Sequence, residues 1–364
     1  MLHSAELEYD AATAISQGRR ERQEDAVAAD FMAGAGAGFA VLADGMGGHA
    51  AGDVAAKIVV TEVFAELKLR TGEPDLLEPA IGEVLHSAAD GANACLGEYA
   101  SHQPQVQEQG MGATLLAPVL FRDRLYWISV GDSPLYLFRD GALIRLNADH
   151  SMAAELEKLV ARGRMDPAEA AAHPDRHCVT SVLTGADIPL VDCRSAPVRL
   201  QHGDIVLAAS DGLLFLEEEE IAEVLAAECH SPSARIGAAL MRRLEVLDAP
   251  EQDNAAFCVI KPFDPQAQHP DAAEAAAPPA PEQPPLEPAA GTDPQRRTSA
   301  VRGFRLGQPI AAAPAPAGAG GGCGLPRQRQ IRPHRYALGP GGHRPERLRT
   351  SGRCLLRHAG NGGS

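Results

Sequence analysis

Short apolar runs, each bounded by Gly, Asp or Asn, recur through the first 263 residues of the chain. Runs of about four to eight residues rich in Val, Ile, Leu and aromatic side chains are typical of buried β-strands. The runs predict strands at residues 12–16, 38–43, 125–130, 135–138, 204–209 and 255–260. Asp140-Gly141, shortly after the fourth run, predicts a hairpin turn.

Longer stretches between these runs carry apolar residues at helical spacing. Between residues 52 and 68, Val54, Ile58, Val59 and Val63 share one face of a helix. Further helices are predicted at 76–99, 221–227 and 233–247. Strands and helices come in blocks without strict alternation, so the pattern predicts an α+β protein with antiparallel sheets. Two sheets flanked by helices is one arrangement that satisfies it.

The character of the sequence changes after Phe263. Residues 264–295 are rich in Pro, Ala and Glu and contain no Lys or Arg, which predicts a disordered acidic linker. Residues 296–364 contain thirteen Arg, no Lys and one Glu, which predicts a disordered basic tail. Such a tail is able to contact nucleic acid, anionic lipid or the acidic domain. Its composition is also what translation of GC-rich DNA in a shifted frame would give.

Composition and charge narrow the class of protein further. The formal net charge of −15 argues against nonspecific DNA binding by the bulk of the chain, and no specific nucleic-acid partner is expected. The seven cysteines form no C-x-x-C pair, which favours reduced thiols over a disulfide framework. The N-terminus lacks the pattern of a signal peptide, and no run approaches the length of a membrane span. We therefore expect a cytoplasmic protein, with a monomer as the default state.

Candidate chemistry comes from aspartates at the ends of the apolar runs. Asp44, Asp132 and Asp211 each follow such a run, and Asp253 lies shortly before another. An Asp at the end of a buried strand is costly unless its charge is compensated, and hard divalent cations with oxygen ligands compensate it. Each Asp alone has an ordinary alternative as a turn residue or helix cap. Their combination predicts a site for Mg²⁺ or Mn²⁺.

The motifs that contain these aspartates follow one another in a distinctive order, with DGMGGH at 44–49 as the strongest of them. The segments are 18–25, 41–49, 110–115, 129–133, 146–151, 207–213 and 252–255. In this order they resemble the type 2C metal-dependent serine/threonine protein phosphatases (the PPM family), particularly its compact bacterial members. The resemblance covers residues 1–263 and implies an α-β-β-α sandwich, followed here by the disordered tail.

The resemblance implies a two-metal site with Mn²⁺ or Mg²⁺. Asp44 matches the carboxylate that bridges the two ions, Asp211 and Asp253 match further ligands, and the carbonyl of Gly45 matches another. Asp132 matches a residue that helps to bind a third ion in bacterial relatives. A water held by two cations loses a proton near neutral pH and attacks phosphorus in line, so no covalent enzyme intermediate is required.

Other residues match the groups around the metals. Arg20 matches the arginine that binds the substrate phosphate, and with Asp44 it is our candidate for catalysis. A planar guanidinium suits this role because it meets two phosphate oxygens at once. Glu24 and Asp25 match carboxylates that hold metal-bound water. Residues 151–177 fall where relatives carry a mobile flap, although the segment also fits an ordinary surface helix and loop.

The sequence departs from the family pattern at the position of the general acid. Met46 stands where many eukaryotic members have a His, and bacterial members commonly have Met, so the acid is unassigned. His49 and His150 lie in the motifs at 41–49 and 146–151, but a lone His is more often a structural hydrogen-bonding residue. Three further departures change no ligand and affect substrate fit: Gln23, Ala113 and Pro134.

The expected function is hydrolysis of phosphoserine and phosphothreonine in proteins, reversing the action of a Ser/Thr kinase. Phosphorylated proteins and a cognate kinase are the implied partners. Two alternatives share much of the sequence evidence. One is a noncatalytic regulator that binds phosphoproteins, and the other is a phosphatase that acts on a regulator of sigma factors.

Overall fold

The computed structural model describes residues 7–32, 36–47, 51–70, 77–265, 347–350 and 353–356. The described residues all belong to one unit of the chain, Met1–Glu274 together with Arg344–Ser364. The predicted acidic linker after Pro265 lies outside the described residues, as does the predicted basic tail except for its two short strands.

Fourteen strands and seven α-helices make up the described part of the chain. The strands are β1 (Glu8–Ser16), β2 (Asp25–Phe31), β3 (Ala37–Gly47), β4 (Met111–Ala113), β5 (Leu115–Phe121), β6 (Arg124–Val130), β7 (Leu135–Arg139), β8 (Ala142–Arg145), β9 (Cys178–Val179), β10 (Asp192–Arg199), β11 (Ile205–Ala209), β12 (Ala255–Phe263), β13 (Arg347–Thr350) and β14 (Arg353–Leu356). The helices are α1 (Ala51–Arg70), α2 (Ile81–Ser101), α3 (Pro104–Gln109), α4 (Met152–Ala161), α5 (Pro167–Ala171), α6 (Glu218–Ala227) and α7 (Ser233–Leu247).

Two antiparallel sheets form the centre of the fold. One has five strands in the order β1-β12-β11-β7-β8, and the other has six in the order β10-β6-β5-β3-β2, with β4 added to β3. A third, small sheet joins the hairpin of β13 and β14 to β9, with β14 parallel to β9. The prediction of an α+β protein with two antiparallel sheets flanked by helices is confirmed.

Alternation of side chains along the central strands explains the layers. In β3, Phe39 and Val41 pack against α1 and α2, whereas Ala40 and Leu42 face the other sheet. In β12, Phe257 and its alternate neighbours pack beneath α6 and α7, while the residues between them face the six-stranded sheet. Both faces of each strand are therefore buried, which is why these strands appear in the sequence as continuous apolar runs.

The helices lie where the spacing of apolar residues predicted them. Helices α1, α6 and α7 cover the predicted ranges, and α2 begins after a short 3-10 helix at Glu78–Ala80. Helices α1 and α2 pack on the six-stranded sheet, and α6 and α7 pack on the five-stranded sheet. None of the helices in the described part of the chain combines the length and hydrophobicity that crossing a bilayer requires.

The packing of α7 gives a test of the outer layer. Leu240 is fully buried against the five-stranded sheet, whereas Val246 in the same helix is 77% exposed. Leu240→Ala leaves a cavity and is expected to lower the free energy of unfolding by about 2–5 kcal/mol. Val246→Ala, the control in the same helix, should change it by less than about 0.5 kcal/mol. Urea unfolding of both variants measures the difference, and equal effects would contradict this packing.

Candidate metal centre

Strand register brings two of the predicted carboxylates together. Asp25 at the start of β2 lies directly opposite Asp44 near the end of β3, and both are buried, with exposures of 5% and 7%. Asp44 has the same parity along β3 as Ala40 and Leu42, so it lies on the face directed toward the five-stranded sheet. Like charges directly opposite each other in a sheet are destabilising. The pair therefore marks a place where a cation would relieve repulsion.

Ser210 connects Asp25 to the other sheet. Its hydroxyl donates to Asp25 Oδ2 at 2.6 Å and accepts from the backbone N–H of Ala256 at 2.9 Å. Ser210 is completely buried and directly precedes Asp211. The bond therefore joins the rims of the two sheets and places the backbone of Asp211 beside the Asp25–Asp44 pair.

Backbone contact brings the Asp211 and Asp253 segments together. The backbone N–H of Ser210 donates to the carbonyl of Ala256 at 2.8 Å. A Cβ on Gly212 would overlap the carbonyl oxygen of Asn254. Only glycine allows the two segments to approach this closely. Asp211 and Asp253, which are 42 positions apart in the sequence numbering, thus lie on adjacent loops at the same rim.

Two glycines form a close-fitting support at the start of α1. The backbone N–H of Gly45 donates to the Glu24 carbonyl at 2.9 Å. A Cβ on Gly52 would lie 2.8 Å from Glu24 Oε1 and 3.0 Å from the Gly45 carbonyl oxygen. The Glu24 carboxylate and the Gly45 carbonyl therefore lie against the same small residue. The second half of the motif, Gly48 and His49, lies outside the described residues.

The predicted phosphate-binding residue contacts a predicted metal ligand. Arg20 Nη2 lies 2.7 Å from Asp253 Oδ2, and Asp253 Oδ1 accepts from the backbone N–H of Asn254 at 2.8 Å. Arg20 Nε is buried and has no hydrogen-bond partner within the described parts of the chain. The guanidinium thus binds the Asp253 carboxylate while its Nε has no partner in the described residues.

Asn254 holds the loop that carries Arg20. Its side-chain oxygen accepts from the Glu24 N–H at 2.7 Å, and its Nδ2 donates to the carbonyls of Gln17 and Arg22 at 2.8 and 2.9 Å. Asn254 is 4% exposed and uses both ends of its amide. This single side chain therefore fixes the Arg20 loop against the segment that bears Asp253.

Asp132 is connected to Asp44 through two buried hydroxyls. Thr114 accepts from the Asp44 N–H at 2.9 Å through Oγ1, and its own N–H donates to the Asp44 carbonyl at 2.9 Å. Thr114 Oγ1 lies 3.0 Å from the Oγ of Ser133, the residue that follows Asp132. Arg145 donates to the Asp132 carbonyl at 2.7 Å. The structure thus places the Asp132 loop beside the strand end that carries Asp44.

His150 and Met46 have structural surroundings. The His150 ring accepts from the Gly131 N–H through Nδ1 at 3.2 Å, and the backbone N–H of His150 donates to the Gly131 carbonyl at 3.1 Å. Burial lowers the pKa of His150, although Asp192 and Asp149 act in the opposite direction. Met46 packs with Val179 and Val182. Neither residue has the surroundings of a proton donor to a leaving group.

Residues 151–177, where the resemblance implies a flap, contain two helices, α4 and α5. The Ser151 hydroxyl caps α4 by accepting from the Ala154 N–H at 3.1 Å, and Asp166 caps α5 by accepting from the Ala168 N–H at 2.8 Å. Both caps satisfy amides that the first turn leaves without a helical partner. Residues 151–177 thus contain the helical structure that the sequence predicted, in α4 and in α5.

The donor set fits a hard divalent cation. It consists of the carboxylates of Asp44, Asp211 and Asp253 and the carbonyl of Gly45, and Mg²⁺ and Mn²⁺ prefer such oxygen ligands. No group of three His, Cys, Asp or Glu side chains in the described part of the chain is gathered closely enough to hold an ion as it stands. Within this set the Asp253 carboxylate binds Arg20, and the neighbouring Asp25 carboxylate accepts from Ser210.

Comparison with known proteins identifies the family. A sequence model of the protein phosphatase 2C family matches residues 16–248. The chain belongs to this family. The serine/threonine protein phosphatase PstP of Mycobacterium tuberculosis is 37% identical over 195 residues, which cover 52% of this chain and 35% of PstP. This chain therefore spans about a third of the length of that relative. Protein phosphatase PhpP of Streptococcus pneumoniae is 28% identical over 235 residues, covering 61% of this chain and 85% of PhpP.

Solved structures of bacterial family members share the fold. The crystal structure of the M. tuberculosis phosphatase PstP/Ppp has a TM-score of 0.57 and 29% identity, and the match covers 70% of this chain and 98% of that structure. The catalytic domain of PstP in complex with two manganese ions has a TM-score of 0.54 and 31% identity, with coverage of 71% and 100%.

Sequence reasoning predicted the carboxylates and did not single out the residues that contact their segments. Ser210, Thr114 and Asn254 each contact a predicted site residue through a buried hydrogen bond. The available signal was their place inside the motifs: Ser210 directly before Asp211, Thr114 in the motif at 110–115, and Asn254 directly after Asp253.

Burial of His150 predicts a loss of stability in mild acid. The folded state resists protonation of the His150 ring, whereas the unfolded chain accepts a proton at the ordinary His pKa of about 6.5. The free energy of unfolding of the metal-free protein should therefore fall as pH decreases below this value. His150→Asn keeps an acceptor for the Gly131 N–H and cannot be protonated, so its stability should depend less on pH.

Thermal melting between pH 7.5 and 5 measures this effect, with the exposed His86→Asn as the control. The control should keep the wild-type slope. An equal slope in His150→Asn and the wild type would show that His150 does not carry the effect.

Proposed function

We propose that this chain hydrolyses phosphoserine and phosphothreonine in proteins with water activated by divalent cations at the rim of the two sheets. The observation that carries the proposal is the contact of Arg20 with Asp253 beside the buried Asp25–Asp44 pair. A guanidinium suited to phosphate and carboxylates suited to cations thus share one site. Membership of the protein phosphatase 2C family and relatives named as serine/threonine phosphatases support the same function.

Two Mn²⁺ or Mg²⁺ ions fit the donor set. Asp44 would bridge them, and Asp211, Asp253 and the Gly45 carbonyl would complete the protein ligands, with Asp132 assigned to a third ion. The two manganese ions in the catalytic domain of PstP support this assignment. When bound, the ions lower the pKa of a shared water and offset charge on the phosphoryl oxygens.

The protein residues around the ions have separate tasks. Arg20 binds two phosphate oxygens and orients phosphorus for in-line attack. Glu24 and Asp25 would accept hydrogen bonds from water at the site, and Ser210 fixes the orientation of Asp25. We assign protonation of the leaving alkoxide to solvent water. Met46 has no acidic proton to donate, and its side chain packs against apolar residues.

Phosphorylated proteins are the substrates that we assign, in particular the products of a Ser/Thr kinase. The relatives named as Ser/Thr phosphatases support this class. Helices α4 and α5 are the flap that contacts the protein around the phosphorylated residue. We place the activity in residues 1–263, with 264–295 as a linker and 296–364 as a tail, and we place the chain in the cytoplasm as a monomer.

A pair of Asp-Gly dipeptides gives a matched test. Asp211-Gly212 lies at the site, whereas Asp140-Gly141 forms the exposed β7–β8 turn. Asp211→Asn removes a ligand charge and should lower Mn²⁺-dependent turnover of a phosphothreonine peptide by at least about a hundredfold. Asp140→Asn should keep wild-type turnover, because Asn tolerates the positive φ of 52° at this position.

Metal removal completes the test. Chelation should abolish the turnover of the wild type, and added Mn²⁺ should restore it. Full turnover of Asp211→Asn would show that the metal assignment is wrong. Phosphopeptide binding by the wild type without any turnover would instead favour the noncatalytic regulator.

A further inference from the structure

Both oxygens of the Asp253 carboxylate are occupied by donors. Oδ2 binds Arg20 Nη2 at 2.7 Å, and Oδ1 accepts from the Asn254 N–H at 2.8 Å. The side chains of Arg20 and Asp253 are 27% and 19% exposed, so water screens this pair only in part. A cation that takes Asp253 as a ligand therefore meets a positive charge already in place.

The backbone keeps Arg20 close to Asp253 even when the guanidinium moves. The N–H of Arg19 donates to the Gln252 carbonyl at 2.9 Å, and Gln17 Nε2 donates to the Arg20 carbonyl at 2.8 Å. Gly18 has a φ of +58°, and a Cβ there would overlap the carbonyl oxygen of Asp253. These contacts fix the loop, whereas the long Arg20 side chain rotates about several bonds. Release of Asp253 thus requires a change of side-chain rotamer and leaves the fold intact.

We propose that Arg20 is an internal counter-ion that competes with a divalent cation for Asp253, so that cation binding releases the guanidinium for phosphate. This inference rests on the proposed function and adds to it a coupling between two ligands. Cation binding at Asp253 frees Arg20, and phosphate binding to Arg20 frees Asp253. Because coupling between two binding sites is reciprocal, each ligand raises the affinity for the other.

The Nε of Arg20 is a donor that a phosphate could engage once the guanidinium has rotated away from Asp253. This donor has no partner within the described residues, while Nη2 is held by Asp253. A phosphate that engages the guanidinium through two donors forms charge-assisted bonds that the single contact with Asp253 does not match. The Arg20–Asp253 pair thus defines one arrangement of the two side chains, and either ligand favours the other arrangement.

The neighbouring arginine gives a matched control. Arg19 pairs with Asp248, and the two side chains are 55% and 67% exposed. Asp248 is not one of the assigned ligands. Arg19→Gln removes the same charge one residue away from Arg20 without releasing Asp253. General electrostatic attraction of cations therefore affects both arginine variants, whereas direct competition affects only Arg20→Gln.

Calorimetric titration of the metal-free full chain with Mn²⁺ tests the proposal. Arg20→Gln should bind Mn²⁺ about three- to tenfold more tightly than the wild type, because a competing ion pair is removed. Arg19→Gln should stay within about twofold of the wild type. Arg20→Lys keeps a positive charge near Asp253 and should gain less than Arg20→Gln, and circular dichroism verifies the fold of each variant.

A second titration with inorganic phosphate present tests the coupling. Phosphate should tighten Mn²⁺ binding in the wild type by a larger factor than in Arg20→Gln, where the released group is missing. Unchanged or weaker Mn²⁺ binding by Arg20→Gln would overturn the inference, as would an equal gain in Arg19→Gln. If one of these two results appears while the wild type still turns over phosphopeptide, the inference fails and the proposed function stands. If the wild type binds no Mn²⁺, the proposed function fails with it.

Discussion

Burial of negative charge at the rim between two sheets is the constraint on which the site depends. Asp25, Asp44 and Glu24 are each less than 9% exposed, and the first two lie opposite each other in neighbouring strands. Carboxylates in such a position are tolerated only with hydrogen bonds, paired cations or metal ions. The hydrophobic layers supply the energy that holds them there, because they fix the strands whose ends carry these residues.

Hydrogen bonds across the rim convert this costly arrangement into a defined site. Ser210 links the two sheets, Asn254 links the Arg20 loop to the Asp253 segment, and Thr114 fixes the backbone of Asp44 from both sides. Each of these three side chains is 4% exposed or less, so few water molecules compete for the bonds. Neutral side chains therefore fix the backbone of Glu24 and Asp44 and one oxygen of Asp25.

The sequence predicted the elements with a strong pattern and missed those with a weak one. Strands with continuous apolar runs and helices with regular spacing were identified. Strand β2 is rich in Ala, and β5 contains Pro118, a residue that argues against a central strand. Pro118 is accommodated opposite Trp127 of β6, and the β3–β5 pairing is interrupted beside it. The carboxylates were predicted because their motifs have a fixed order, whereas the bond from Ser210 to Asp25 spans 185 positions and has no signature in spacing.

The most direct test of the account is anomalous diffraction from crystals of the protein grown with Mn²⁺. The account predicts two anomalous peaks about 3.5–4 Å apart. Asp44 should lie between them, with Asp211 and Asp253 as ligands and Arg20 turned away from Asp253. Strong Mn²⁺ peaks at other residues, with the Arg20–Asp253 pair intact, would contradict the assignment of this rim as the catalytic centre.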